Sequence, residues 1–386
     1  MTRTRIALMS VAVLVGVAVL GAAGQTAPTS PLPSAPPPQR VPAPGTAGAG
    51  PYQPQAILQG GIVVTLFPPD SPLLKKDKLS EPEVYSMTGG APGRIASIVG
   101  IHNPSIEFHG VPASLNTGAV VIVAAGGGHN TLNVGSEGSD FVPFFFNYGI
   151  NTVILRNRLR RDGYNPQTDE VYDAQQAIRM VRARAAEWKV DPHKIGIMGF
   201  SAGAELAAPA ALSYEEFGRA HGEATDPFAN ISARPDFVGL VYPGPTPFTR
   251  DPNTPIPADA PPTFIVCAGT GDAVHAAWAD AYFAAFLKAR IPNLEMHIYA
   301  NGRHPGDPLP DGTNMTGGLT DRNGTPFGTW QYRLIDWMRD LGFLQKSGVE
   351  TRAAREVALR VANPPQSGRG AGAGRGAGNA PPATGR

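Results

Sequence analysis

The chain has 386 residues, of which 32 are basic and 31 acidic, so its formal net charge is only +1. This balance argues against nucleic acid as the main partner, because phosphate binding depends on a surplus of positive charge. The single cysteine, Cys267, excludes a disulfide framework and a zinc site built from cysteines.

The N-terminal residues 1–24 have the order of side chains that is typical of a secretory signal peptide. Arg3 and Arg5 precede an apolar run over 6–20, and small residues follow that run. We therefore expect a cleaved signal and a secreted or periplasmic mature protein with no stable membrane partner. An uncleaved membrane anchor is the alternative, since the apolar run approaches the length that spans a bilayer.

Two segments contain much of the glycine and proline of the chain. Residues 25–54 hold ten Pro and three Gly, and residues 364–386 hold seven Gly and four Pro. Neither has periodic apolar positions whose burial would offset the entropy of ordering the chain, so we expect a disordered linker and a disordered tail. The part between them, 55–363, is long enough for one large domain.

Within this domain, short apolar runs alternate with helical patterns. The first extended stretch, 84–109, is expected to form an antiparallel pair at the beginning of a sheet. Five later runs are rich in β-branched residues and nearly uninterrupted, as strands covered on both faces should be. They are 119–123, 152–155, 195–198, 237–241 and 264–267.

Apolar side chains recur at helical spacing over 169–188, behind Thr168, whose hydroxyl is expected to cap the helix. Further helical patterns cover about 275–290 and 329–341. The alternation predicts an α/β fold with a doubly wound, mostly parallel sheet and helices on both faces. In such sheets ligands bind beyond the carboxyl ends of the strands, so the loops at those ends are the places where chemistry is expected.

One of these loops has the sequence Gly-Phe-Ser-Ala-Gly, residues 199–203, between a predicted strand and a helical run. This order is the context of a nucleophile elbow, in which glycines permit a sharp turn and leave the serine hydroxyl exposed. Ser201 is therefore the candidate nucleophile, and an ordinary glycine-rich turn is the alternative. Pro209 is expected to kink the following helix.

A serine hydroxyl needs a base oriented by a carboxylate, and in this architecture the acid and then the histidine follow the serine along the chain. Asp272 lies in the loop after the strand 264–267 and is the candidate acid, with helix capping as its alternative role. His304 lies just beyond the strand-like run 294–299 and is the candidate base, with an ordinary surface-loop histidine as the alternative. His275, only three residues beyond Asp272, is not expected to be the base.

Three consecutive glycines, Gly126, Gly127 and Gly128, follow the strand 119–123. Residues without side chains let backbone N–H groups approach the oxyanion that forms when an ester carbonyl is attacked. We expect one donor at Gly127 or Gly128 and the second at the N–H of Ala202. No phosphate-binding glycine motif is present, and neither a metal nor an organic cofactor is expected.

Together these motifs resemble the α/β-hydrolase esterases of the acetyl xylan esterase and BD-FAE type, which are often labelled xylanase-like. The resemblance covers about 115–345 and also includes the run 158–188 and the turn at Asp191. It implies the α/β-hydrolase fold, the deacylation of plant polysaccharides, and a catalytic triad of Ser201, Asp272 and His304.

The chain departs from the family's pattern beside the expected pocket. His129 stands where the family usually has an aromatic residue, Glu205 where it has histidine, and Arg303 where it has glycine. We expect these three residues and Asn130 to border the substrate. The fold and the triad therefore transfer from the family, whereas the acyl and alcohol groups of the ester do not.

The predicted function is that of a secreted serine carboxylic-ester hydrolase that deacylates, and in particular deacetylates, carbohydrate or similar small esters. A lipid or polyester esterase or a peptidase of the same fold is one alternative, and a non-catalytic carbohydrate-binding protein is another. The loop 305–328 begins beside the candidate base and carries polar groups suited to sugar hydroxyls, so we expect it to shape the alcohol side of the site. A passive surface loop is the alternative, and the sequence predicts no oligomeric state.

Overall fold

The computed structural model describes residues 50–88, 94–215, 228, 230–251, 253–300, 302–307, 317–319 and 329–364. The expected signal peptide, nearly all of the expected linker, all but the first residue of the expected tail and most of the loop 305–328 lie outside the described residues. No helix within the described ranges combines the length and the apolar character needed to cross a membrane.

The strands of the described chain form one large sheet and one small sheet. Their bounds are β1 Ile62–Thr65, β2 Val84–Met87, β3 Ile95–Val99, β4 Ser105–His109, β5 Val120–Ala124, β6 Asn151–Arg156, β7 Ile195–Phe200, β8 Phe237–Val241, β9 Thr263–Ala268 and β10 Glu295–Tyr299.

The large sheet has the strand order β1-β4-β6-β5-β7-β8-β9-β10. The pairs β1/β4 and β4/β6 are antiparallel, and the other neighbours run parallel. Every residue of β5 to β9 is buried, as expected for strands covered on both faces. The predicted doubly wound, mostly parallel sheet is confirmed, and the carboxyl ends of β7, β9 and β10 meet at one edge.

Helices cover both faces of this sheet. Their bounds are α1 Phe141–Phe146, α2 Val171–Ala183, α3 Ala185–Trp188, α4 Ala202–Leu212, α5 Pro247–Arg250, α6 Ala273–Lys288, α7 Trp330–Asp340 and α8 Arg352–Ala362. Alternate residues of each strand point to opposite faces. Val120 and Ile122 accordingly pack in the cluster that contains α2, α4 and α6, whereas Val121 and Val123 pack in the cluster that contains α1 and α7.

The prediction for 84–109 was only partly right. Residues 84–87, 95–99 and 105–109 are extended, but β2 and β3 pair with each other in a separate two-stranded sheet, while β4 joins the large sheet between β1 and β6. The edge strand β1 and the helix α8 were not predicted. β1 is only four residues long, so it offers almost no periodicity to detect.

The start and the continuity of the predicted helix 169–188 also differ in the structure. Asn165, not Thr168, caps it, since the Asn165 side chain accepts the N–H of Gln167 at 2.9 Å and Pro166 occupies the first turn. The backbone leaves the α conformation at Arg184, which separates α2 from α3. By contrast, α4 continues through Pro209 to its end.

Candidate active site

Ser201 lies at the sharp turn between the end of β7 and the start of α4. Its backbone has φ +50° and ψ −119°, a combination that costs a non-glycine residue of the order of 1–3 kcal/mol. The turn requires both flanking glycines, because a Cβ at Gly199 would lie 2.2 Å from the carbonyl oxygen of Gly203, and a Cβ at Gly203 2.1 Å from that of Ala124. The serine side chain thus projects from the carboxyl edge of the sheet.

The structure brings the three predicted triad residues into one hydrogen-bonded row. Ser201 Oγ lies 3.0 Å from His304 Nε2, and His304 Nδ1 lies 2.9 Å from Asp272 Oδ2. Asp272 follows β9 and His304 follows β10, which are parallel neighbours in the sheet. The backbone N–H of His304 also donates to Asp307 Oδ2 at 3.2 Å, which holds the loop that carries the base.

A second histidine, which the sequence did not assign to the site, contacts the same carboxylate. His275 Nδ1 lies 2.7 Å from Asp272 Oδ1, and its ring stacks on that of His304 with centroids 3.6 Å apart and planes 6° apart. Burial acts to raise the pKa of Asp272, but the hydrogen bonds from His275 and His304 outweigh it and lower that pKa. Asp272 is therefore ionised, with one N–H donor for each oxygen.

We predict that His275 positions Asp272 through its N–H group. In His275→Phe the ring stacking is kept but the donor is lost, so Asp272 can rotate away from His304, and kcat should fall about tenfold, as for the loss of one charged hydrogen bond. KM should stay within a factor of two or so. Steady-state kinetics on p-nitrophenyl acetate checks this.

The matched variant is His275→Gln, which restores an N–H donor and should recover most of kcat. Wild-type kcat in the phenylalanine variant would show that Asp272 needs no second donor.

The glycine loop after β5 is shaped for backbone donors. Gly127 has φ +134°, and a Cβ there would lie 2.0 Å from the carbonyl oxygen of Thr131, so no other residue fits. The N–H of Gly126 donates to Glu137 Oε2 at 2.7 Å. Within the described ranges the amides of Gly127, Gly128 and Ala202 have no hydrogen-bond acceptor, which leaves them available to an oxyanion.

The residues expected to border the substrate lie in different surroundings. His129 is 7% exposed, and its ring bridges Glu170 Oε2 at 2.8 Å and Glu205 Oε2 at 3.4 Å. Burial acts to lower the pKa of His129, but the hydrogen bonds that its ring donates to the two carboxylates raise it to about 9. Asn130 is exposed and donates to the carbonyl of Gly128 at 3.0 Å, and Arg303 is exposed beside the candidate base.

A cavity of about 560 Å³ lies next to His129 and Glu205, between α2, α4 and α5. Arg160 and Arg250 line it together with Val171 and Phe248, so its wall is of mixed polarity. Glu205 is one helical turn beyond Ser201, and its N–H donates to the carbonyl of Ser201 at 3.2 Å. The cavity therefore shares α4 with the nucleophile.

Asp272, His275 and His304 place potential metal-ligand atoms within 4.8 Å of one another. Their geometry does not suit a shared ion. A metal bound to an imidazole lies near the ring plane, about 2.0–2.1 Å from the nitrogen for zinc, whereas these two rings are parallel with centroids 3.6 Å apart. Both Nδ1 atoms already bond to Asp272.

We predict that activity does not depend on a bound metal. Extensive dialysis against EDTA or 1,10-phenanthroline should leave kcat unchanged, because a serine, a base and two backbone donors complete the chemistry. Metal content measured by mass spectrometry controls for incomplete removal. Loss of activity that one added ion restores would contradict the prediction.

Comparison with known proteins shows related segments. Residues 111–241 match the family model described as BD-FAE. An endo-1,4-beta-xylanase B of Butyrivibrio fibrisolvens is 31% identical over 124 residues, which are 32% of this chain and 19% of that protein. An acetylxylan esterase of Xylanibacter ruminicola is 33% identical over 92 residues, 24% of this chain and 18% of that protein. This chain thus matches about a fifth of the length of these curated relatives.

A solved structure is similar over most of the folded part. It is an acetyl ester-xyloside bifunctional hydrolase from Caldicellulosiruptor lactoaceticus, with a TM-score of 0.52 and 24% identity over 62% of this chain and 89% of that one. At this identity the likeness shows the fold alone.

Proposed function

We propose that this chain, which has the α/β-hydrolase fold and matches the BD-FAE family over 111–241, is a serine carboxylic-ester hydrolase. The observation that carries the proposal is the row of hydrogen bonds from Ser201 through His304 to Asp272. This row lies beside backbone amides that have no acceptor in the described chain. Nucleophile, base, orienting carboxylate and oxyanion donors are what acyl transfer requires.

In the first half of the reaction Ser201 Oγ attacks the ester carbonyl carbon while His304 Nε2 accepts the hydroxyl proton. The carbonyl oxygen becomes an oxyanion that accepts hydrogen bonds from the N–H of Ala202 and from that of Gly127 or Gly128. When the intermediate collapses, the C–O bond to the alcohol breaks and His304 gives its proton to the departing alcohol. The acyl group remains on Ser201.

In the second half, water attacks the acyl-enzyme and His304 accepts a proton from that water. Collapse releases the carboxylic acid and returns the proton to Ser201. Asp272 stays ionised throughout, because its low pKa keeps it an acceptor, and it holds the imidazole proton on Nδ1.

The proposed substrates are acylated, and in particular acetylated, carbohydrates or similar small esters. The matched relative from Xylanibacter ruminicola is an acetylxylan esterase, which supports this class. The wall of the 560 Å³ cavity also carries hydrogen-bonding side chains, among them Arg160 and Glu205, that suit hydroxyl-bearing groups.

A fluorophosphonate probe tests the proposal directly. It should label the full chain once, and peptide mass spectrometry should place the label on Ser201, because only an activated serine reacts. No labelling of folded protein would favour the non-catalytic carbohydrate-binding alternative. Acetylated xylan, acetylated monosaccharides and p-nitrophenyl esters of rising chain length then separate a carbohydrate esterase from a lipid or polyester esterase, and a peptide panel tests for a peptidase.

We further propose how the chain is organised and where the enzyme is located. Residues 55–363 form the catalytic domain, 1–24 direct export, and 25–54 and 364–386 are a linker and a tail. Export would place the enzyme outside the cytoplasm, where polymeric carbohydrate is accessible. N-terminal sequencing of the mature protein tests whether the signal is cleaved.

A further inference from the structure

A buried carboxyl group lies directly behind the oxyanion loop, and the reaction described above does not use it. Glu137 is 1% exposed and sits in the tight turn Gly135–Ser139. Its Oε2 accepts the N–H of Gly126 at 2.7 Å, and its Oε1 accepts the hydroxyl of Tyr242 at 2.6 Å. No lysine, arginine or histidine forms an ion pair with it among the described residues, which is unusual for a carboxylate so deeply buried.

The two partners of Glu137 connect it to both halves of the catalytic machinery. Gly126 is the first residue of the oxyanion loop, and its carbonyl accepts the N–H of Asn133 at 3.0 Å. The ring of Tyr242 meets that of His304 edge to face, with centroids 5.2 Å apart and planes at 81°. The Tyr242 hydroxyl also accepts the N–H of Gly318 at 3.1 Å, from the described stretch 317–319 of the loop that follows the base.

We propose that Glu137 is a positioning residue that, as a carboxylate, holds the amides of Gly127 and Gly128 in the geometry that binds the oxyanion. This inference rests on the proposed function. An oxyanion donor is effective only when it lies about 2.7–3.1 Å from the developing charge, so a small rotation at Gly126 would misplace the amides that follow it. A carboxylate accepts stronger hydrogen bonds from Gly126 and Tyr242 than a neutral carboxyl group does, because charge-assisted hydrogen bonds are about twice as strong.

The surroundings of Glu137 make the strength of these hydrogen bonds depend on pH. Burial raises the pKa of Glu137 to about 7, against the opposing effects of the hydrogen bonds from Tyr242 and Gly126. Below that pH Glu137 binds a proton and loses its charge. Its contribution to catalysis should therefore be complete well above pH 7 and disappear as the pH falls through 7.

Few other ionisable groups of the described chain face Glu137. Its turn packs against β3, β5, β6 and α1 and against residues 317–319, and the sequences of β3, β5, α1 and 317–319 contain no ionisable side chain. On β6, Arg156 is held by Glu83 at 3.0 Å and Glu107 at 2.5 Å. Beside the turn, Asp140 pairs with Arg94. Among the residues that the structure describes, Tyr242 is thus the ionisable side chain that contacts Glu137. Burial raises the pKa of Tyr242 well above its ordinary value, so it stays protonated.

The test compares the full chain with Glu137→Gln, since glutamine resembles the protonated acid. The ratio of wild-type to variant kcat/KM on p-nitrophenyl acetate should be about ten above pH 8, on the scale of one charge-assisted hydrogen bond, and should approach one below pH 6. The pH dependence of the triad itself is common to both proteins and cancels in the ratio. A merely structural role would give a ratio that does not change with pH.

Two variants sharpen the comparison. Tyr242→Phe removes a hydrogen bond that lowers the pKa of Glu137, so the midpoint of the activity change should move to higher pH. Glu187→Gln is the matched control, because Glu187 is exposed on α3, away from the site. The ratio of wild-type to Glu187→Gln kcat/KM should be one at every pH.

The amide proton of Gly126 gives a readout that needs no turnover. In ¹⁵N-labelled Ser201→Ala protein its chemical shift should titrate with a midpoint near pH 7, and that titration should vanish when Glu137→Gln is added. A pH-independent activity ratio, or a Gly126 amide that does not titrate, overturns the proposal. Absence of ester turnover by the wild-type chain instead overturns the proposed function, and the amide titration still decides the role of Glu137.

Discussion

Replacing Ser201 with alanine should lower kcat by roughly 10⁴ or more, because nucleophile, base and carboxylate act as a unit. Alanine and serine have similar backbone preferences, so the strained conformation at φ +50° is equally costly in both and the variant should remain folded. Hydrolysis of p-nitrophenyl acetate and labelling by the fluorophosphonate probe measure the loss.

Ser80→Ala, at an exposed position before β2, is the matched control and should retain activity. Circular dichroism and melting temperature show whether both variants fold. Near-normal ester turnover in folded Ser201→Ala protein would refute the assignment of the nucleophile.

Replacing Asp272 with asparagine should lower kcat by about 10³–10⁴ with little change in KM. Asparagine can present its NH₂ group to His304, which favours the tautomer whose Nε2 carries the proton and so cannot accept one from Ser201. The loss should be larger than for His275→Phe, because that change leaves the carboxylate in place. Activity measured across pH 5–9 distinguishes a base that no longer functions from a base that functions in a different pH range.

Two other carboxylates serve as comparisons for this prediction. Asp280 is exposed on α6 and should tolerate asparagine without loss. Asp307 accepts the backbone N–H of His304 at 3.2 Å, so its replacement should have a modest effect through the loop. A larger loss from either change than from Asp272→Asn would mean that the carboxylate of the triad is misassigned.

Much of the fold followed from local patterns in the sequence. The five buried parallel strands β5 to β9 were predicted to within two residues at each end, because a strand covered on both faces must be apolar throughout. The elbow was found for a similar reason, since its two glycines are required by backbone contacts that no side chain can share. By contrast, the strand β1 and the helix cap at Asn165 depend on contacts with other residues, and the periodicity of apolar residues along the chain does not reveal those contacts.

The elements of the site were predictable where each candidate follows a strand of a parallel sheet. Such strands end at one edge, so Ser201, Asp272 and His304 could be expected to meet even though 103 residues separate the serine from the histidine. His275 had a detectable signal, its spacing of three residues from Asp272 at the start of a helix. That spacing argues against His275 as the base, but it does not reveal that His275 contacts Asp272.

The amino-acid sequence by itself determined the order of strands and helices, the glycine positions and the three residue types of the triad, because each depends on local backbone geometry or on side-chain chemistry. Only the tertiary structure decided which groups surround the triad and the oxyanion loop. It showed that Gly126 points its N–H at Glu137, that Tyr242 links Glu137 to the ring of His304, and that His129 is enclosed by two carboxylates. These contacts join residues distant in the chain across the packed ends of the sheet, and hydrogen bonds of that kind depend on three-dimensional placement rather than on any spacing along the sequence.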